Sequence, residues 1–338
     1  VIDLLVAGGG PAGLATAIHG ARAGLEVVVV ERRRGTIDKA CGEGMMPHTV
    51  AQLARLGVDP PGMPLRGIAY VDADQRIEAT FRAGPGRGVR RTVLHAALLE
   101  AAHDAGVGFV HGDIGPISQD ADSVRAAGLD ARYLAAADGL HSPIRRALGL
   151  SQPCRGARRW GIRHHVQTAP WSDRVEVHWG PSSEAYVTPV ADDCVGIAIL
   201  SSSRGGFEPH LREFPALMDR VSGQAHGPDR AAGPLRQKAR SRTAGRVLLV
   251  GDAAGYIDAL TGEGVGMAFG AAELLVNCLV TQRTSEYDRR WRALTRRYRL
   301  LTAGLVRAGS VPLIRSRIVP TARTLPHVFA GVVNQLAA

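Results

Sequence analysis

The chain has 338 residues, of which 45% are hydrophobic, 21% charged and only 5% aromatic, with a formal net charge of +10. These proportions suit a globular protein of one to three domains and exclude a disordered chain. They also exclude a membrane-spanning helix: the longest apolar stretch, residues 265–280, contains Glu273 and Asn277 and is shorter than the roughly 18 residues a span needs.

Residues 2–7 read as a strand, so no signal peptide is expected. The Gly-rich run Gly8-Gly9-Gly10-Pro11-Ala12-Gly13 follows, then a helix over 14–23 closed by Gly24, then a β-branched strand over 25–30 ending at Glu31. Strand, turn, helix and strand within about 30 residues make a βαβ unit. Residues 36–47 read as a loop and 49–56 as a short helix. Residues 66–72 and 76–81 form a hairpin turning at 73–75, and the leucine and alanine spacing from 94 to 105 predicts a helix stopped by Gly106. Strands are expected at 107–111 and 131–137.

Between 159 and 200 the pattern changes to short alternating segments separated by Pro, Asp and Ser turns, which predicts an antiparallel sheet. One weak helix is expected over 207–221 and an apolar strand over 246–250. From 265 onward helices dominate. Parallel-type units thus bracket an antiparallel insertion. The expected division is 1–65, 90–155 and 241–280 for a nucleotide-binding domain, 66–89 and 156–240 for a substrate domain, and 281–338 for a helical region.

The charge excess is uneven. Residues 281–338 hold eleven arginines against Glu286 and Asp288, so the other 280 residues are nearly neutral. A basic face of this kind suits solvent, or a peripheral contact with a membrane. No nucleic-acid motif accompanies it, and a nucleic-acid partner is not expected. The four cysteines, Cys41, Cys154, Cys194 and Cys278, lie far apart without a CxxC pair. That argues against a metal site and fits a reducing cytoplasm.

Gly8, Gly10 and Gly13 form a GxGxxG fingerprint. Gly8 permits the tight turn, Gly10 leaves room for a pyrophosphate, and Gly13 brings helix and strand together. Pro11 and Ala12 open the helix, whose N-terminus favours phosphate. Glu31, 18 residues past Gly13, stands where a carboxylate binds ribose hydroxyls. Both NAD and FAD use this arrangement. Two further segments complete a set: Asp138-Gly139 after a strand, and Gly251-Asp252-Ala253-Ala254 followed by Thr261-Gly262-Glu263-Gly264-Val265.

Together the three segments resemble the fingerprints of flavoproteins with the para-hydroxybenzoate hydroxylase fold. Within that superfamily the chain is most similar to the geranylgeranyl reductase family. The shared features are Lys39-Ala40-Cys41-Gly42-Glu43-Gly44, Arg91-Thr92-Val93-Leu94 and Leu260-Thr261-Gly262-Glu263-Gly264, over about residues 1–280.

The resemblance implies an α/β fold, with a Rossmann-like FAD-binding domain, an inserted antiparallel substrate domain and C-terminal helices. It implies FAD contacts from Asp252 to the ribityl and pyrophosphate portion, from Asp138 and Gly139 near the pyrophosphate, and from Arg91, Arg32 and Arg33 to phosphate, ribose and adenosine. Gly262, Glu263, Gly264 and Val265 would place backbone amides beside the pyrimidine end of the flavin. Cys41 and Gly42 would lie against the flavin. Cys41 and Glu43 are the candidate catalytic residues.

No second GxGxxG exists, so NADPH or NADH would dock transiently. The segment Tyr186-Val187-Thr188-Pro189 lacks the Trp of archaeal-type reductases, which weighs against prenyl-chain reduction and, by a similar comparison, halogenation. His164 and His165 alternate on a strand, so only one can face the pocket. Three functions follow in order of expectation. The first is an NAD(P)H-dependent monooxygenase acting on an aromatic or polyketide-like substrate. The second is a reductase of carbon–carbon double bonds near a membrane. The third is a non-catalytic lipid binder.

Overall fold

The computed structural model describes residues 1–156 and 158–337. The first third runs β1 (Ile2–Ala7), α1 (Pro11–Arg22), β2 (Val27–Glu31), β3 (Gly44–Met45), α2 (Pro47–Arg55) and β4 (Met63–Leu65). It continues with β5 (Gly67–Asp72), β6 (Gln75–Thr80), β7 (Gly86–Gly88), α3 (Arg91–Asp104) and β8 (Gly108–His111). Next come β9 (Ser118–Gln119), β10 (Val124–Ala126), β11 (Leu129–Ala136), α4 (Pro143–Ala147) and β12 (Ser151–Gln152). The insertion holds β13 (Trp160–Gln167), β14 (Arg174–Trp179), β15 (Ser183–Ala191), β16 (Cys194–Ser201), α5 (Phe207–Leu211), α6 (Pro215–Val221) and β17 (Arg230–Ala232). Then β18 (Lys238–Ala239), β19 (Thr243–Ala244) and β20 (Val247–Leu249) lead to α7 (Gly264–Val280), α8 (Tyr287–Gly309), α9 (Pro312–Arg315), α10 (Ile318–Thr324) and α11 (Pro326–Ala337).

The first sheet has the path β19-β20-β11-β1-β2-β8, with β10 paired to β11 and β9 to β10. Strands β20, β11, β1, β2 and β8 are parallel neighbours. Their apolar runs are buried on both faces, as parallel strands require: Leu4, Leu5, Val29, Leu134, Leu248 and Leu249 are fully buried. In register, Ala7 pairs with Val30 on one side and Ala136 on the other, and Ala136 pairs with Leu249. The residues just beyond them therefore form one row along the carboxyl edge. Three segments far apart in sequence supply that row. This is where open α/β sheets bind ligands.

The second sheet has the order β17-β13-β16-β15-β14-β5-β6. It is antiparallel apart from β5 and β14, which pair in parallel. Side chains alternate across it. On one face Ile162, Ala185, Val187, Ile197 and Ile199 pack with Phe207, Leu211, Phe214 and Leu217 of the α5–α6 region. The expected helix over 207–221 is in fact two. Pro215 disfavours helical backbone at Phe214, which sits at φ −126°, ψ 71°. On the other face Ile68, Val175, Val177 and Trp179 meet Val319, Phe329 and Val333 of the C-terminal helices. The hairpin turn is Ala73-Asp74, with Gln75 already in β6. No helix among the described residues is long and apolar enough to cross a membrane.

Candidate functional site at the carboxyl edge of the parallel sheet

The loop after β1 is packed tightly enough to need its glycines. Gly8 has φ +107°, and a Cβ there would lie 2.6 Å from the Ala137 carbonyl oxygen. A Cβ on Gly13 would overlap the Gly8 carbonyl oxygen. Gly10 faces open space instead. The Gly9 peptide is tied on both sides. Its N–H donates to Glu31 Oε2 at 2.8 Å, and its carbonyl is 2.9 Å from His95 Nε2. The Ile37 N–H lies 3.4 Å from His95 Nδ1. A backbone N–H can only donate, so Nδ1 accepts and Nε2 carries the proton toward Gly9. Burial, the largest influence, lowers the His95 pKa and favours this neutral form. Sequence alone does not single out His95; its i, i+4 spacing from Arg91 on α3 is the available signal.

Distant segments meet this loop. Gly251 has φ +62°, and a Cβ there would be 2.6 Å from the Ala12 Cβ. Thus the second glycine turn stacks directly on the start of α1. Asp138 and Gly139 follow β11 in the same row, with Asp138 Oδ2 accepting the Ile144 N–H at 3.0 Å. Arg145 reaches under the turn to the carbonyls of Ala253 at 2.9 Å and Asp252 at 3.3 Å. Helices α1 and α7 both start without a side-chain cap, so their first N–H groups remain available. Pro11 is the first residue of α1, where its missing N–H costs nothing.

Polar atoms along this edge are buried without partners. Among the described residues, Arg91 Nη1, Asp138 Oδ1 and Glu263 Oε1 make no hydrogen bond. Burial is the largest influence on each group: it lowers the Arg91 pKa, raises that of Asp138 and pushes Glu263 up to about 7. The Asp252 carboxylate accepts no hydrogen bond among the described residues, and burial raises its pKa against the opposing pull of Lys39, Arg91 and Arg145. Asp252 also borders a cavity of about 30 Å³ with Tyr256, Gly264 and Tyr298. Unpaired buried polar groups cost stability and call for an explanation, of which a partner bound in function is one. A nucleotide with a pyrophosphate and ribityl hydroxyls supplies such partners, so the residues fit FAD.

Other expected residues take varied positions. Arg32 and Arg33 are exposed. Glu31 also accepts the Arg33 N–H at 2.8 Å. Gly262 has φ +70° and lies near Met46, while Gly264 sits under the Tyr256 ring and Val265 packs on the first core. The Glu263 carboxyl has Arg297 of α8 as its charged neighbour. The Lys39 ammonium lies 3.4 Å from where a Cβ on Gly139 would be, inside the same cleft.

The Cys41–Gly44 loop joins this edge to the inserted sheet. The Gly42 carbonyl accepts the Thr188 hydroxyl at 2.8 Å. Cys41 Sγ accepts the Glu43 N–H at 3.4 Å, and burial pushes the thiol pKa up. Glu43 is buried with φ +60°; Oε1 accepts the Arg91 N–H at 2.7 Å and Oε2 lies 2.6 Å from His165 Nε2. A Cβ on Gly196 would be 2.7 Å from that Oε2, so glycine makes room for the carboxylate. Arg163 donates to His165 Nδ1 at 2.9 Å and to Asp38. Of the two histidines it is His165 that faces the loop. His164 turns to Phe207 and to Asp229 at 2.6 Å.

A protein-family model described as an FAD binding domain matches residues 2–285. The chain belongs to that family. It is an FAD-dependent oxidoreductase with the fold of para-hydroxybenzoate hydroxylase-like flavin enzymes. This flavoprotein is 28% identical over 320 residues to the menaquinone reductase of Mycobacterium tuberculosis (strain ATCC 25618 / H37Rv), covering 81% of this chain and 76% of that one. It is 27% identical over 331 residues to digeranylgeranylglycerophospholipid reductase 1 of Methanothermobacter thermautotrophicus, covering 85% and 81%. Among solved structures, the myxobacterial chondrochloren halogenase CndH superposes with a TM-score of 0.79 at 18% identity, over 98% of this chain and 90% of that one. At that identity the likeness speaks for the fold alone.

Proposed function

We propose that this flavoprotein saturates carbon–carbon double bonds in an isoprenoid chain. The observation that carries the reading is an apolar wall assembled by the inserted sheet, the 256–260 loop and α8. Tyr70, Val177, Trp179 and Tyr186 of the inserted sheet join Tyr256, Ala259 and Leu260 and, from α8, Leu305 and Val306 in one cluster. Tyr186 is fixed by its hydroxyl, which donates to the Leu260 carbonyl at 3.0 Å. Such a wall suits a long hydrocarbon better than a small polar aromatic. The similar menaquinone and digeranylgeranylglycerophospholipid reductases support the same reading and outweigh the missing Trp near Pro189. Monooxygenation therefore becomes the second reading.

Bound FAD supplies the hydride for the reduction. In this proposal the turn at Gly8, the bare backbone at Gly10 and the first N–H groups of α1 hold the pyrophosphate. Glu31 keeps Gly9 in place and offers its remaining lone pairs to the ribose. The free Arg91 Nη1 meets a phosphate or ribose oxygen, and Asp138 and Asp252 take hydroxyl partners. Arg32 and Arg33 lie on the adenosine side. The uncapped start of α7, with Gly262, Glu263, Gly264 and Val265, stabilises negative charge at the pyrimidine end. Cys41, kept a neutral thiol by burial, holds a proton at Sγ on the substrate side. Glu43 locks that loop against His165. NADPH or NADH docks transiently as reductant.

The test is anaerobic incubation of the FAD-loaded protein with NADPH and a menaquinone or a geranylgeranyl lipid. A gain of two hydrogens per reacting double bond is expected by mass spectrometry. Incorporation of one oxygen atom, only in air, would replace this reading with monooxygenation.

A further inference from the structure

The charge excess of the C-terminal region coincides with most of the exposed apolar side chains. Among the described residues, seven of the ten exposed large apolar side chains lie beyond residue 290, so this surface is not evenly apolar. Leu300, Val311, Leu313 and Ile314 are 64%, 39%, 82% and 49% exposed. Trp291, Thr295, Tyr298 and Thr302 form the buried stripe of α8. At 3.6 residues per turn, Arg296, Leu300 and Arg307, spaced four and seven apart, share the opposite stripe. The chain then turns at Ser310 into α9, adding Leu313 and Ile314, with Arg317 just beyond. Arg289, Arg290 and Arg292 at the start of α8 pair with Glu286 or Asp288. Arg296, Arg307 and Arg317 are exposed and make no ion pair among the described residues.

The same stretch has an inner side. Leu305 and Val306 pack on the cluster that holds Tyr70, Tyr186 and Leu260. The end of α8 is thus a wall one helix thick between an exterior apolar patch and the proposed substrate wall.

We infer that the outer face of the C-terminal half of α8, together with α9, docks on an anionic lipid bilayer. Leu300, Leu313 and Ile314 enter the boundary between headgroups and acyl chains, and the three arginines meet headgroup phosphates. Charge decides the occupant. A second copy placed symmetrically on this patch would set its arginines against their own counterparts, whereas an anionic membrane complements them. The inference rests on the isoprenoid reading only for what passes the α8 wall: a chain dissolved in the bilayer reaches the inner cluster without crossing water.

Sedimentation of the FAD-loaded protein with phosphatidylcholine vesicles, with and without phosphatidylglycerol, tests the surface. Binding is expected only with phosphatidylglycerol and should fall as salt rises. The variant Leu300→Ser/Leu313→Ser/Ile314→Ser should partition at least about tenfold less, and Arg296→Gln/Arg307→Gln/Arg317→Gln should lose the salt-sensitive part. Val280→Ser, an exposed apolar change on α7, should bind like the parent. Unchanged flavin content confirms that the variants are folded. Failure of the parent to bind anionic vesicles, or equal binding by the leucine variant, overturns the inference. So does a dimer in gel filtration that the leucine variant dissociates. Vesicle binding by a protein that leaves a detergent-solubilised isoprenoid unsaturated would keep the docking surface and discard the reaction.

Discussion

The buried acids of the two sheets are treated differently. In the inserted sheet Glu176 accepts from Arg76 at 2.6 Å and Trp171 at 2.9 Å and lies 3.1 Å from His178 Nε2; Glu184 meets both Arg159 and Arg315. Burial alone would raise the Glu176 pKa, yet the hydrogen bonds from His178, Trp171 and Arg76 outweigh it and bring it down to about 2. Along the carboxyl edge of the parallel sheet, Asp138 and Glu263 each keep an oxygen unpaired among the described residues, and burial raises the pKa values of Asp138, Asp252 and Glu263. Satisfied acids hold the architecture together. Unsatisfied ones, next to bare glycine backbone, are groups that a bound ligand would complete.

The largest effect is expected where the edge is made of backbone. Gly13→Ala forces a Cβ into the Gly8 carbonyl oxygen, and a shift of the whole turn should cost about 3 kcal/mol or more of FAD binding. The flavin-to-protein absorbance ratio of the purified variant should fall close to zero; full occupancy would show that the turn is not the cradle.

Glu176→Gln should destabilise the protein at pH 7 by about 3 kcal/mol, since three donors lose a buried carboxylate. The pH profile sharpens this. A carboxyl with folded pKa about 2 against an ordinary 4.5 contributes stability above pH 4.5 that is lost as pH falls toward 2, a span worth roughly 3 kcal/mol. Urea unfolding at pH 7 and pH 3 should therefore show a gap between parent and variant that narrows in acid.

Glu263 should behave in the opposite sense. Its folded pKa, about 7, lies above the ordinary 4.5. The parent is favoured below pH 4.5 and loses up to roughly 3 kcal/mol as pH rises through 7. Glu263→Gln should match the parent at pH 4 and exceed its melting temperature at pH 8. A lower melting temperature at pH 8 would mean that Glu263 is satisfied after all and would break the contrast with Glu176.

The smallest effect is reserved for Asp252→Ala. One hydrogen-bonding acid among many contacts should weaken FAD about tenfold, near 1.4 kcal/mol, by fluorescence titration. Stability without FAD should change less than FAD affinity, because the carboxylate accepts no hydrogen bond among the described residues and acts on Lys39, Arg91 and Arg145 only through charge.

Much of this was legible in the chain because it is local. The periodicities placed β1, α1, β2, α3 and α7 within a few residues, and glycine spacing announced the turns after β1 and β20. Pairings were not legible. Nothing local tells β5 to lie parallel to β14, about 100 residues on, or Glu43 to reach across to His165 through the space left by Gly196. The weight given to the missing Trp near Pro189 was a motif judgement. The apolar wall that supports the isoprenoid reading is assembled from β5, β14, β15, the 256–260 loop and α8, and exists only once they pack.

By itself the sequence determined which segments form strands and helices and where bare backbone is needed, since φ preference and side-chain period act over neighbouring residues. Only the tertiary structure decided which polar groups find partners and which are left open, because desolvation and hydrogen bonding depend on what other segments bring to the same place.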